Sequence, residues 1–154
     1  MNYKMMAYIL GNIMQAEGLL MSISALLALY KGEINELRAF LITIILLLVI
    51  GTAMKHFAPK NKRIYGREGF VALSWIVMSI FGAMPFYLSG AIDGIVNCLF
   101  ETVSGFTTTG ATVLSEIEGL PMSILFWRSF THWVGGMGVF VFVLAVMPLV
   151  GGQN

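Results

Sequence analysis

The sequence predicts an all-α integral membrane protein, with four spanning helices and one short re-entrant helix leading into a Thr- and Gly-rich loop. Three observations carry that prediction. Of 154 residues, 58% are hydrophobic and 11% charged, against about 45–50% and about 25% in an average soluble domain. Mean hydropathy is +0.85, too high for a chain that must cover itself with a water-facing surface. Four separate stretches also reach the roughly 20 apolar residues needed to cross a ~30 Å hydrocarbon core.

Composition excludes several functions. The net charge is +1 and no basic stretch carries interleaved aromatics, so the chain is not a nucleic-acid binder. Lone Cys98 rules out an intrachain disulfide framework and any multi-cysteine zinc site. His56 and His132, the two histidines, do not make a metal cluster. Without a nucleophile–base constellation, a metal cluster or a complete phosphate loop, the sequence does not read as an enzyme.

The first span runs from about Met5 to Tyr30 and contains one acid, Glu17. That acid, and the lack of a small-residue cleavage site, favour an uncleaved helix over a signal peptide. The second runs from about Leu37 to Phe57, with no charge from Ala39 to Met54. The third, about Phe70 to Gly90, is uncharged, and the fourth, about Met122 to Val150, contains Arg128 and His132. Between the second and third lie Lys55, Lys60, Lys62, Arg63 and Arg67 against one acid, Glu68. Basic loops stay in the cytoplasm, which puts both termini inside and Asp93, Glu116 and Glu118 outside. The chain thus divides into a helix pair (1–58), a basic cytoplasmic loop (59–69) and a helix–loop–helix unit (70–154).

Residues 91–121 carry most of the functional signal. Ile92, Ile95, Val96, Leu99, Phe100 and Val103 recur at helical spacing, predicting an amphipathic helix over Asp93–Gly105 with Asp93 as N-cap. At about 20 Å it is too short to span, so it dips in and returns. Gly105-Phe106-Thr107-Thr108-Thr109-Gly110-Ala111-Thr112 follows directly. Irregular backbone at membrane depth survives only where protein buries it or it lines a water-filled cavity. The negative end of the short helix faces this segment and favours a cation. Threonine and glycine supply carbonyls and hydroxyls, hard oxygen ligands able to replace an alkali cation's hydration shell. Gly110 permits the positive φ that lets successive carbonyls face one axis. On composition alone an ordinary extracellular loop, with Thr and Gly making turns, fits as well. The helix before it favours the filter. A phosphate loop is excluded by Ala111 at the lysine position and by the helix where a strand is required.

Two strings carry a family resemblance. Phe100-Glu101-Thr102-Val103-Ser104-Gly105-Phe106-Thr107-Thr108-Thr109-Gly110-Ala111-Thr112 resembles the first pore loop of the Trk/Ktr/HKT superfamily of potassium transporters, in its bacterial TrkH/TrkG branch. Phe126-Trp127-Arg128-Ser129-Phe130-Thr131-His132-Trp133-Val134-Gly135-Gly136-Met137-Gly138 is similar to the start of that family's following helix. The resemblance implies a potassium-uptake subunit of the cytoplasmic membrane, with residues 70–154 as its first membrane–pore–membrane repeat. It also implies a re-entrant pore helix and an ion path lined by the carbonyls of Thr107, Thr108, Thr109, Gly110 and Ala111. The potassium ion is cargo, and no cofactor is implied. Family members carry four such repeats around one pore and work with a cytosolic nucleotide-binding regulator of the TrkA type. This chain carries one repeat, so the expectation is an N-terminal fragment whose pore is closed by further repeats or subunits. The alternatives are a homotetrameric cation channel subunit and a non-conducting membrane interaction protein.

Charges at membrane depth are costly unless paired, which singles out Glu101 and Arg128 as a pair behind the filter. Glu17 is expected to make a polar contact with the second helix through Thr43 or Thr52 rather than to act as a proton or ion relay, since one acid without a chain of partners relays poorly. Gly135, Gly136 and Gly138 read as close-packing positions, with a gating hinge as the alternative. His132 is expected to be hydrogen-bonded and Cys98 to be inert packing.

Overall fold

Long apolar runs in which every backbone group can be satisfied internally fold as helices, and five form among the described residues. The computed structural model describes residues 3–57 and 67–150. The elements are α1 (Tyr3–Lys31), α2 (Ile34–Phe57), α3 (Arg67–Leu88), α4 (Ile95–Phe106) and α5 (Met122–Val150). Among the described residues, α1, α2 and α3 contain stretches long and apolar enough to cross a membrane. At 29 residues, α5 reaches about 44 Å. Lys60, Lys62 and Arg63, the centre of the basic loop, lie outside the described residues.

Each predicted span becomes a helix, with ends that move by up to three residues. The short helix starts later than the periodicity suggested and ends one residue beyond Gly105. Asp93 is not its N-cap. Gly94 takes that position at φ 84° with no side-chain cap, and the Asp93 carbonyl instead accepts a hydrogen bond from Asn97 Nδ2 at 2.8 Å. A left-handed residue between Asp93 and the helix carries its carboxylate away from the first-turn N–H groups.

At the end of α1, Gly32 (φ 73°) sits in the left-handed conformation, with Gly32 N–H donating to Leu29 O and Glu33 N–H to Ala28 O. This is the Schellman closure, which satisfies the last carbonyls and favours glycine at its left-handed residue.

Helices α1 and α2 form an antiparallel hairpin with close backbone contact. A Cβ on Gly11 would come 2.7 Å from Gly51 O, so only glycine permits the crossing. Near that crossing Lys55 Nζ donates to Gln15 Oε1 at 2.9 Å and Gln15 Nε2 to Thr52 Oγ1 at 3.0 Å. α1 also packs against α3 and α5, so the hairpin shares its core with the rest of the chain. Trp127 is the hub of that core: its ring meets the edge of Phe40 at 6.5 Å, and its indole N–H donates to Gly82 O at 3.0 Å. Outward faces such as Leu41, Ile45 and Val49 on α2 and Ile76 and Ile80 on α3 remain exposed, as expected where lipid is the solvent.

One tie crosses the molecule at the α1–α2 turn. Glu33 caps α2 with its carbonyl, while its carboxylate accepts the backbone N–H groups of Met122 at 2.7 Å and Ser123 at 3.0 Å and the Ser123 hydroxyl. A carboxylate there meets the positive end of the α5 dipole. It places the α1–α2 turn and the start of α5 at one end of the bundle, as the topology requires. Partial desolvation pushes the Glu33 pKa up, but the Ser123 and Met122 hydrogen bonds and the Lys31 charge outweigh it. The net result lies below the usual carboxylate range. A lowered folded-state pKa gives a contribution present above about pH 4.3 and lost as pH falls through the folded value. Glu33→Gln should lower the unfolding midpoint in detergent by about 1–4 °C near neutral pH, a small effect because the group is largely in water. The difference between wild type and variant should close in acid. A difference that persists unchanged into acid would remove the carboxylate from this role.

Candidate functional site

The loop after α4 begins where that helix is closed, and the closure is unusual. Thr108 N–H donates to Gly105 O at 2.9 Å and Thr109 N–H to Ser104 O at 3.0 Å, the same pattern that ends α1. Here the left-handed residue is Thr108, at φ 57°. Left-handed backbone costs a β-branched residue roughly 1–2 kcal/mol, which persists only where the surroundings over-determine it. Two residues on, Gly110 has φ 77°, as the sequence led one to expect. The strain at Thr108 had no signal in the sequence beyond the absence of glycine where the helix stops.

Residues 107–111 are exposed. Among the described residues, no hydrogen bond uses the carbonyls of Thr107, Thr108, Thr109 or Gly110. The Ala111 carbonyl differs: Ser104 Oγ donates to it at 2.6 Å, which ties the loop back to α4. The hydroxyls of Thr107 and Thr109 lie 2.8 Å apart, and Thr107 Oγ1 also donates to Val103 O at 2.7 Å. The result is a row of unpaired backbone oxygens held at both ends.

Glu101 anchors the far end. Arg128 Nε pairs with its Oε1 at 2.6 Å, and the carboxylate also accepts Thr112 Oγ1 at 2.9 and 3.0 Å and Val113 N–H at 3.2 Å. Glu101 is 1% exposed and the Arg128 side chain 16%. The pair expected from charge cost alone is therefore formed. The grip of the same carboxylate on the backbone after Ala111 could not be read from spacing.

The three glycines of α5 behave differently from one another. A Cβ on Gly135 would overlap Phe106 O and lie 2.7 Å from its carbonyl carbon, so the last residue of α4 rests directly on α5 there. One on Gly138 would press the Trp75 ring at 3.2 Å. One on Gly136 would meet only Thr108 Cγ2, at 3.9 Å. Close packing thus accounts for Gly135 and Gly138 and leaves Gly136 open. Gly105 has a similar role, since a Cβ would overlap Thr131 Oγ1. His132 Nδ1 lies 3.0 Å from Arg128 O, and Cys98 is fully buried.

The expected contact of Glu17 with α2 is not made. Thr43 Oγ1 donates to Ala39 O of its own helix, and Thr52 is taken by Gln15. Glu17 instead faces α3, where its Oε1 would lie 3.2 Å from a Cβ on Gly82. Helical phase explains the exchange: Gln15 and Glu17 are two residues apart and point to different neighbours.

Comparison with known proteins places these features in a wider context. A family model described as TrkH, cation transport protein, matches residues 36–154. An uncharacterised cation transporter of Methanocaldococcus jannaschii is 37% identical over 94% of this chain and 30% of its own length. The Trk system potassium uptake protein TrkH of Halomonas elongata is 35% identical over 98% of this chain and 32% of its own. That of Escherichia coli K12 is 42% identical over 74% and 24%. The crystal structure of the potassium transporter TrkH from Vibrio parahaemolyticus superimposes with a TM-score of 0.89 at 31% identity, covering 100% of this chain and 34% of that one. The chain thus spans about a quarter to a third of the length of these relatives.

Proposed function

The chain belongs to the TrkH family of cation transport proteins, and on that premise we propose that it forms one side of an oxygen-lined path for potassium. The observation that carries this reading is the row of exposed, unpaired carbonyls at Thr107, Thr108, Thr109 and Gly110 at the negative end of α4. Ala111 completes the segment, anchored through Ser104. Named relatives are potassium uptake proteins rather than enzymes, in keeping with a chain whose loop offers oxygens and no reacting group.

In this reading α4, at 12 residues, enters and leaves the membrane from the outer side as a re-entrant pore helix, and α5 is the fourth span. Glu101 and Arg128 hold the filter from behind. Gly135 seats Phe106, the residue just before the filter, and Gly136 is the one α5 glycine with room to act as a hinge. The basic segment from Lys55 to Arg67 faces the cytoplasm together with both termini, in the inner membrane. A cytosolic regulator of the TrkA type would dock on that face. One loop supplies oxygens from one direction, whereas a dehydrated cation needs them from several. Other repeats or subunits must supply the rest.

The test replaces the matching segment of a full-length TrkH with this chain and measures potassium and sodium uptake. A Cβ on Gly110 meets nothing within 4 Å, so the cost of Gly110→Ser is backbone strain alone, about 1–2 kcal/mol. Potassium-over-sodium preference should fall by roughly 5–30-fold. Gly94→Ser also puts a side chain on a positive-φ residue, at the opposite end of α4 where φ is 84°, and should leave the preference unchanged. Equal preference in both variants would count against the filter.

A further inference from the structure

Glu17 is the group that neither the fold nor the proposed path uses. It lies midway along α1, 1% exposed, and among the described residues both carboxyl oxygens lack a hydrogen-bond partner. Two turns on along the same face, the Ser24 hydroxyl is fully buried and equally unpartnered. Among the described residues, no charged neighbour acts on Glu17. From α2, the buried positions are Ala39, Phe40, Thr43, Leu47 and Gly51, none of them ionisable. From α3 it meets Gly82. On α4, the Glu101 carboxylate is committed to Arg128, Thr112 and Val113, and Cys98 Sγ donates to Ile92 O. On α5, Arg128 is held by Glu101, and His132 lies against the Arg128 carbonyl.

The location gives that isolation a consequence. Gly82 is where α1, α3 and α4 converge: a Cβ there would lie 2.9 Å from Phe106 Cε2, 2.9 Å from Thr102 Cγ2 and 3.2 Å from Glu17 Oε1. The Gly82 carbonyl also receives the Trp127 indole N–H. Phe106 is the last residue of α4, immediately before Thr107. A bare carboxylate at this joint would have neither a counter-charge nor a donor, and its demand for water would fall on the contact that seats α4.

We propose that Glu17 is a proton-binding site, occupied as the neutral acid, whose proton keeps α4 seated against α3. The coupling to ion flow rests on the potassium-path reading above; the proton site itself does not. Losing the proton opens the joint at Gly82 and displaces Phe106, and with it the first filter residues.

The test uses the same full-length TrkH bearing this segment, reconstituted in liposomes, as wild type, Glu17→Gln and the apolar, similarly long Glu17→Met. Infrared difference spectra against pH should show a protonated-acid carbonyl band at neutral pH that is absent from both variants. Potassium flux should match within about twofold among the three at neutral pH. At the alkaline pH where the acid band disappears, wild-type flux should fall at least about tenfold, since an unpaired buried charge costs more than the 1.4 kcal/mol that a factor of ten represents. Both variants should keep their flux there. Absence of the acid band, or a carboxylate band that shifts on adding potassium or sodium, would overturn the proton site. A wild-type alkaline profile superimposable on that of the variants would overturn the coupling. If none of the three conducts, the potassium-path reading fails, and the infrared result still decides whether Glu17 holds a proton.

Discussion

Arg128→Gln is expected to cost about 3–5 kcal/mol of folded-state stability, the penalty for leaving one member of a buried ion pair without its partner. The charge left behind would be Glu101, which is 1% exposed and has no second cation to turn to among the described residues. Thr112 Oγ1 and Val113 N–H would still donate to it. Two neutral donors do not replace a guanidinium held at 2.6 Å. The readouts are yield of folded protein in mild detergent and thermal unfolding of the full-length transporter bearing this segment.

Glu101→Gln should cost less, because the charge it strands is the more accessible one. Arg128 is 16% exposed near the N-terminal end of α5 and can extend toward water. The amide still offers one acceptor for Thr112 or Val113. The damage should appear instead in ion preference, since the backbone after Ala111 loses half of its anchor. The double variant should recover part of the Arg128→Gln loss, so that it costs less than the two single variants together and the cycle gives a non-zero coupling energy. Losses that simply add would show that the pair contributes nothing jointly.

The legible part of this molecule was the part written in long-range composition. Apolar runs of spanning length located α1, α2, α3 and α5, because a helix is the form in which such a run satisfies its own backbone in lipid. The expense of an unpaired charge at depth was enough to bring Glu101 and Arg128 together before any coordinates. What stayed hidden depends on helical phase and on single backbone torsions. Gln15 and Glu17 look equivalent along the sequence, yet one reaches Thr52 on α2 and the other faces Gly82 on α3. Asp93 has the chemistry of an N-cap but lies one left-handed residue too early. In the site, Gly110 announced its positive φ, whereas Thr108 also has a positive φ without the residue type that advertises it. The Glu33 tie to α5 joins residues about 90 apart, a pairing that no local pattern encodes.

The glycines of α5 give the second large effect and supply their own control. Gly135→Ala should disrupt the site far more than Gly136→Ala, although the two are neighbours with the same helical backbone. At Gly135 the new methyl would overlap the Phe106 carbonyl oxygen and crowd its carbonyl carbon at 2.7 Å and Cα at 2.9 Å. Those are backbone atoms of the last α4 residue and cannot swing aside like a flexible side chain. Relief requires α4 and α5 to separate, at the roughly 1–3 kcal/mol typical of overpacking. The motion lands on Thr107, whose N–H is bonded to Val103 O at 2.9 Å, and on the strained turn at Thr108. Gly138→Ala should be intermediate, since the Trp75 ring at 3.2 Å has only to give by a few tenths of an ångström. At Gly136 the nearest atom is 3.9 Å away, so alanine there should be neutral, or stabilising by up to about 1 kcal/mol through helix propensity. Unfolding midpoints and potassium-over-sodium preference should therefore both rank Gly136→Ala above Gly138→Ala above Gly135→Ala. If Gly136→Ala proved the most damaging, flexibility rather than close approach would be what these glycines provide, and the hinge would replace the packing account.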